Sequence, residues 1–437
     1  MTASPPAPAP ESRAGPPGAA PGLGRNFWLL WSGWSVSSLG NGITLAALPL
    51  LAASLTDSPL RIALVSAAST LPWTLLALIG GALADRWDRR AALWICDAVR
   101  FGLLALLAVL VMCDAITIPL LMVTGFLITS VDTVFDSARQ SIMPMLLSRD
   151  PERLRTANSR LTSANIVALR FLGPPLGGLL HSIRAAVPFI VDAASFLVSS
   201  VLLRRLRGEF TAHRPEGRRS MRREIAEGVR WLAGHRTLLT VTLLTGARNL
   251  IALAQTAILV LFAKEILGVT GAGFGLLLAC GAAGSLLATL TATSLSRRLG
   301  TAGAIHLSMA LATASGLIVG LTGITAVVGV ALAVSGFSVV MWNITTVSLR
   351  QTLVPDGLAG RVNGAHRLVT FGVMPLGALG GGVFTDLLGL RAPFLYGGLL
   401  MLLLTLLALP LLGQATVRAA EATAAAEPEA PEIKNAR

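Results

Sequence analysis

The chain has 437 residues, 54% hydrophobic and only 13% charged, with a mean hydropathy of +0.71. A soluble domain of this length needs far more polar surface to cover one core, whereas a bilayer-crossing helix needs about 20 mostly apolar residues, so the composition points to an integral membrane protein. A formal charge of +13 would suggest a nucleic-acid binder in a soluble chain, but here the arginines lie between apolar runs and that reading falls away.

Residues 1–24 are rich in Pro, Ala and Gly, lack the basic start and apolar core of a signal peptide, and read as a disordered cytoplasmic tail. Twelve apolar runs follow, at 27–55, 60–83, 91–113, 118–137, 158–180, 186–203, 237–263, 271–295, 302–322, 325–347, 363–385 and 391–413. Residues 414–437, Ala- and Glu-rich, form a second disordered tail. The three cysteines (Cys96, Cys113, Cys280) lie far apart within apolar runs and match neither metal-ligand spacing nor a disulfide framework.

Charge divides the connections into two classes. Of the 35 lysines and arginines, 26 fall in the tails and in alternate connections, ten of them between Arg204 and Arg236. The other connections hold only Arg61, Arg184, Lys264 and Arg391. The positive-inside rule then places both termini in the cytoplasm. The long 204–236 segment separates a first half, 25–203, from a second, 237–413. Within it Met221, Ile225, Val229 and Leu232 recur at helical spacing among basic residues, the pattern of an amphipathic helix on the membrane surface or of a plain linker helix.

The halves repeat. Arg139-Gln140 is followed by Pro144, then Arg155 and Asn158; Arg350-Gln351 is followed at the same distance by Pro355, then Arg361 and Asn363. Gly173-Pro174-Pro175-Leu176-Gly177-Gly178 in span five is matched by Met374-Pro375-Leu376-Gly377 in span eleven, and Arg89-Arg90 by Arg297-Arg298. Parallel repeats of six helices are a transporter architecture.

The segment Gly81-Ala82-Leu83-Ala84-Asp85-Arg86-Trp87-Asp88-Arg89-Arg90 resembles the major facilitator signature between helices two and three, with Asp88 where that signature has Gly. This variant, with the Arg-Gln-x-x-x-Pro connections, resembles the branch of drug, macrolide and siderophore (enterobactin-like) exporters. The resemblance implies an all-α integral membrane protein with the major facilitator fold, twelve transmembrane helices in two six-helix pseudo-repeats. It also implies that Gly81, Asp85, Arg86, Arg89, Arg90 and Asp136 form a conformational latch, with Arg89 reaching Asp136. The alternative is that these charges only set topology. Arg170 followed by Gly173, Pro174, Gly177 and Gly178 resembles the antiporter motif of helix five, although Leu169 stands where a glycine is expected; the alternative is a kinked packing helix.

Ionisable residues inside spans are costly and face a cavity or a counter-charge. Asp97 and Arg100, spaced i, i+3, suit a mutual pair. Asp132, Arg170 and Arg248, with Asn249, are candidates to line a central cavity, with a carboxylate carrying the coupling proton; structural salt-bridging is the alternative. Asp192 lies only a few residues into span six, within reach of the outer interface. Asn41 stands where the exporter branch commonly has Asp and cannot titrate. His366, Arg367 and Asn343 are candidates for the inner vestibule.

No phosphate loop, catalytic triad or metal cluster is visible, so the sequence implies a transporter without cofactor or metal, not an enzyme. Its expected partners are a small-molecule substrate, protons and the lipid bilayer, with no nucleic acid, and it is expected to be a monomer in the plasma membrane. The expected activity is proton-coupled efflux of an amphipathic small molecule by alternating access. The alternatives are import or uniport by the same fold, or a non-transporting sensor or scaffold.

Overall fold

A computed structural model describes residues 23–84, 88–147, 150–208, 210 and 221–413, with backbone alone at 77–84, 221–225 and 356. Both tails lie outside the described residues. All regular structure among the described residues is helical. The first six-helix set comprises α1 (Gly24–Leu55), α2 (Pro59–Ala84), α3 (Arg89–Met112), α4 (Ile118–Leu146), α5 (Pro151–Asn165) running into α6 (Gly173–Ile183), and α7 (Val187–Arg204). After α8 (Met221–Gly234) come α9 (Arg236–Glu265), α10 (Ala272–Leu321), α11 (Thr325–Leu353), α12 (Ala359–Gly372) with α13 (Met374–Leu388), and α14 (Ala392–Leu411).

Among the described residues, ten helical stretches have the length and composition to cross a membrane. One of them, α10, runs for 50 residues but is broken by Gly300 at φ 72° and ψ 167°, a conformation open chiefly to a residue without Cβ. The chain reverses there, between the apolar runs 271–295 and 302–322. The outward surfaces are apolar: Leu399, Leu402, Leu403, Leu406 and Leu407 of α14 are all exposed. In water this would be a liability; in hydrocarbon it is the expected outer face, and small residues mediate the inner contacts.

Helix five is not one continuous α-helix. Pro174 and Pro175 lack the N–H groups that would bond the carbonyls of Arg170 and Phe171. The chain loosens into a π-helical stretch, Ile166–Leu172, which closes with Gly173 N–H donating to the Ala168 carbonyl. In the second half, α12 and α13 join at Val373, just before Pro375.

The short connections at 56–58, 113–117, 184–186, 266–271, 322–324 and 389–391 gather at one end of the bundle, and the ends of the described chain, Leu23 and Leu412, pack at the other. At the short-loop end one core runs across both helix sets, joining Leu50, Leu51 and Ile62 to Leu259, Phe262 and Phe394. Among the described residues, the two largest cores at the terminal end each keep to one helix set. Phe27, Leu93, Phe135 and Leu203 belong to one, and Leu238, Ile305, Trp342 and Val362 to the other. Among the described residues the halves therefore share a core at the short-loop end and none at the terminal end.

The α8 helix forms where its spacing predicts, and it packs on α12 and α9 of the second half. Gly228 packs against the Arg361 carbonyl of α12, and Glu227 pairs with Arg361 at 2.9 Å. Leu232 is buried, whereas Val229, expected on the same face, is 42% exposed. Packing against α12 and α9 thus buries Leu232 and leaves Val229 out, while the side chains of Met221 and Ile225 lie outside the described residues.

Candidate functional site

The first half holds a buried charge cluster. Arg100 of α3 donates through Nη1 to Asp97 Oδ1 at 3.0 Å and through Nη2 to Asp132 Oδ1 of α4 at 2.8 Å. Its guanidinium also lies 4.4 Å from the centre of the Phe135 ring and 5.1 Å from that of Phe196. One turn of α3 brings Asp97 and Arg100 to the same face, which faces α4 and α7. Asp97 and Arg100 are fully buried, while the Asp132 side chain is 27% exposed. The i, i+3 pair is formed as its spacing predicts. Asp132, however, is bound to Arg100 and makes no contact with Arg170 or Arg248, so these three do not form one cluster.

Asp192 of α7 does not reach an interface. It is 1% exposed, accepts hydrogen bonds from Thr44 of α1 and Ser195, and packs where Gly40 leaves room for it. Asn41, beside Gly40, is half-buried. Arg170 sits in the π-helical stretch, exposed and with no side-chain partner among the described residues.

The second half contains Arg248 of α9, 8% exposed. Its Nη2 donates to Ser338 Oγ of α11 at 2.9 Å, its Nη1 to the Ser308 carbonyl at 3.4 Å, and its guanidinium lies 4.8 Å from the centre of the Trp342 ring. Arg248 meets no carboxylate among the described residues. It borders a cavity of about 70 Å³ whose walls include Asn249, Gln255, Ser335, Trp342 and Asn343. A larger cavity, about 210 Å³, opens between α2 and α12, walled by Trp73, Thr74, Asn363, Arg367 and Phe371. At its edge Thr74 donates to the Phe371 carbonyl across the halves. His366 turns away to Thr242 and is buried, so it does not line this space.

The signature segment is only partly described: Gly81 lies in α2, while Asp85 and Arg86 fall outside the described residues. Asp88, the departure from the signature, caps α3 by accepting from Arg90 N–H at 3.0 Å. Arg89 is buried and donates to the Phe210 carbonyl at 3.2 Å, and Arg90 donates to the Arg204 carbonyl at the end of α7. The expected Arg89–Asp136 pair is not formed. Asp136 instead binds Arg139 on its own helix at 2.6 Å, with Gln140 on its second oxygen. One turn of α4 supplies a nearer cation than another helix does.

In helix five, a Cβ on Gly173 would sit 2.4 Å from Gly42 Cα, and one on Gly178 would sit 2.1 Å from the Gly271 carbonyl oxygen of the second half. Pro174 lies against Gly275, and Gly177 against the Ile43 carbonyl. The glycines therefore set close backbone contact both within the first half and between halves. Sequence reasoning missed the cross-half tie at the short-loop end: Lys264 pairs with Asp57 at 2.9 Å and donates to the Ala53 carbonyl. It also missed Thr44, Ser338 and Trp342, which are far in sequence from the charges they serve. No group of three His, Cys, Asp or Glu suited to a metal is present among the described residues.

Comparisons with known proteins agree with this architecture. The family described as transmembrane secretion effector, a branch of the major facilitator transporters, matches residues 18–436. The chain is 29% identical over 408 residues to the uncharacterized MFS-type transporter YfiS of Bacillus subtilis, covering 88% of this chain and 93% of that protein. It is 28% identical over 378 residues to the multidrug efflux pump Tap of Mycolicibacterium fortuitum, covering 84% and 91%. Among solved structures, a bacterial homologue of the iron transporter ferroportin in its inward-facing state superposes with a TM-score of 0.71 at 17% identity, covering 89% of this chain and 99% of that one. The outward-facing state gives 0.58 at 18% identity, covering 89% and 98%. A two-part helical bundle carrying buried charges at its centre thus has a family as well as a shape: the chain belongs to the transmembrane secretion effector family of major facilitator proteins, and is a multi-pass membrane transporter, not an enzyme.

Proposed function

We propose that the protein exports an amphipathic small molecule across the plasma membrane in exchange for protons, the halves 25–203 and 237–413 rocking about a central site. The observation that carries this reading is the one-sided packing, a shared core at the short-loop end and separate cores at the terminal end. With the basic connections at the terminal end, the positive-inside rule makes this the cytoplasmic side and the conformation inward-open. The better superposition on the inward-facing ferroportin homologue is in keeping with that. The named activity of Tap, multidrug efflux, supports export. Twelve crossings follow if α10 is divided at Gly300 and α2 is counted. Both halves are in one chain, so a monomer suffices.

Proton coupling rests on charge counting. Asp97 and Asp132 share the single cation Arg100, so the cluster becomes neutral by taking up one proton. Asp132, the partly exposed member, is positioned to exchange it. Asp192, held by hydroxyls alone, is the second candidate. The latch role of Gly81, Asp85, Arg86, Arg89, Arg90 and Asp136 remains part of this proposal, with Arg90 tying α3 to the end of α7 and Arg89 tying it to the segment that follows.

The test uses inside-out vesicles from a deletion strain and its complemented counterpart, with a panel of chemically varied compounds. An acidic lumen should drive uptake of at least one compound only in the complemented vesicles. Uptake indifferent to the gradient removes proton coupling and leaves uniport. Uptake of nothing leaves the sensor or scaffold reading.

A further inference from the structure

Two of the buried arginines, Arg100 and Arg248, are treated differently by the fold. Arg100 has two carboxylates and two aromatic faces. Arg248, also buried, has a serine hydroxyl, one carbonyl and one indole face, all neutral, and among the described residues no acid within salt-bridge distance. A guanidinium within a membrane helix that lacks a counter-charge is costly, and neutral acceptors offset only part of that. Arg248 also borders a cavity. Ser335 and Asn343 on its wall make no side-chain hydrogen bonds among the described residues, and Asn343 and Val339 are exposed at its open side. Asn249 Nδ2 and Gln255 Nε2 are turned to the Thr370 and Pro393 carbonyls, leaving their amide oxygens as acceptors.

We infer that this cavity is a binding site for an anionic head group carried by the transported molecule. A carboxylate or phosphate there would supply the counter-charge the fold omits. Arg248 would present its planar donor fork, Ser335 and Asn343 would donate further hydrogen bonds, and Trp342 would wall one side. The volume of about 70 Å³ suits a head group, not a whole molecule. The apolar body would extend past Val339 into the space between the halves. The inference rests on the transport reading above and adds the charge of the substrate to it.

The test compares two probes of one shape, radiolabelled 1-naphthoate and 1-naphthamide, on the full chain in phosphatidylcholine nanodiscs. Naphthoate should bind saturably and at least about tenfold more tightly than the amide, the discrimination one charge-assisted pair supplies. Arg248→Gln should abolish that preference, and Arg248→Lys should retain part of it. Equal binding of both probes to the wild type overturns the inference without any variant, as does a preference that survives Arg248→Gln. Loss of naphthoate binding when phosphatidylglycerol is added overturns the small-molecule occupant and assigns the site to a lipid phosphate. The vesicle panel separates this from the transport reading. Flux without preference for anionic compounds sinks only the anion site, while anion binding without flux of any compound sinks only transport.

Discussion

Removing Arg100 is the most demanding test of how the first half is held together. Arg100→Met keeps much of the side-chain volume but leaves Asp97 fully buried without a counter-ion, next to Asp132. Breaking a buried ion pair from one side destabilises by about 3–5 kcal/mol, because the remaining charge is stranded. The lost guanidinium–ring contacts with Phe135 and Phe196 add about 0.5–2 kcal/mol each. If the first half unfolds as a unit, the pair term alone lowers its melting point by roughly 6–20 °C. Cys96, buried one residue before Asp97, provides the assay. A thiol-reactive fluorophore should label it only on unfolding, in a Cys113→Ser, Cys280→Ser background that removes the exposed and half-buried thiols. Adding Asp97→Asn to Arg100→Met should recover at least about 1–3 kcal/mol relative to additivity, since the stranded charge is then gone. A melting point for Arg100→Met equal to that of the background, or a strictly additive double variant, would refute the account of the cluster.

Four further outcomes are expected. Lys264→Ala should leave stability within about 1 kcal/mol, because both partners of its pair with Asp57 are exposed. It should nevertheless shift the balance of conformations by up to about fivefold toward opening at the short-loop end, read from labelling of a cysteine placed there. Gly178→Leu should prevent closure of that same end, since its Cβ alone meets the Gly271 carbonyl backbone, and Gly173→Ala should destabilise by about 1–3 kcal/mol; Gly102→Ala, with open space around it, is the neutral-to-stabilising control. Asp132→Asn should preserve folding and abolish gradient-driven uptake; retained uptake would move the proton to Asp192. Glu227→Ala should loosen α8 from α12, detected as faster proteolysis of the 204–236 segment, with little change in the melting point of the bundle.

The sequence was most informative where physics is local. Hydropathy located the helices because the bilayer forces every backbone group into its own helix. The Asp97–Arg100 pair was visible because a single turn makes those residues neighbours. The Gly-Pro-Pro motif announced a disturbed helix because prolines remove donors wherever they stand, although the π-helical form of the disturbance was not written in it. Local reasoning also misled: Asp136 looked free for Arg89 on another helix, while Arg139 stood three residues away.

What needed the tertiary structure is everything that joins residues distant in the chain. Asp192 lies near the start of its helix, which suggests an interface, yet Thr44, 148 residues away, seals it in the core. Asp132 and Arg248 are alike in sequence, charges set inside apolar runs. Only packing makes one a shared acid beside Arg100 and leaves the other a cation facing Ser338 and a cavity. Composition and periodicity determine that these helices form and cross a membrane, because those depend on each segment and its solvent. Which charges are neutralised, and which end of the bundle is closed, depend on how helices from both halves meet, and no single segment encodes that.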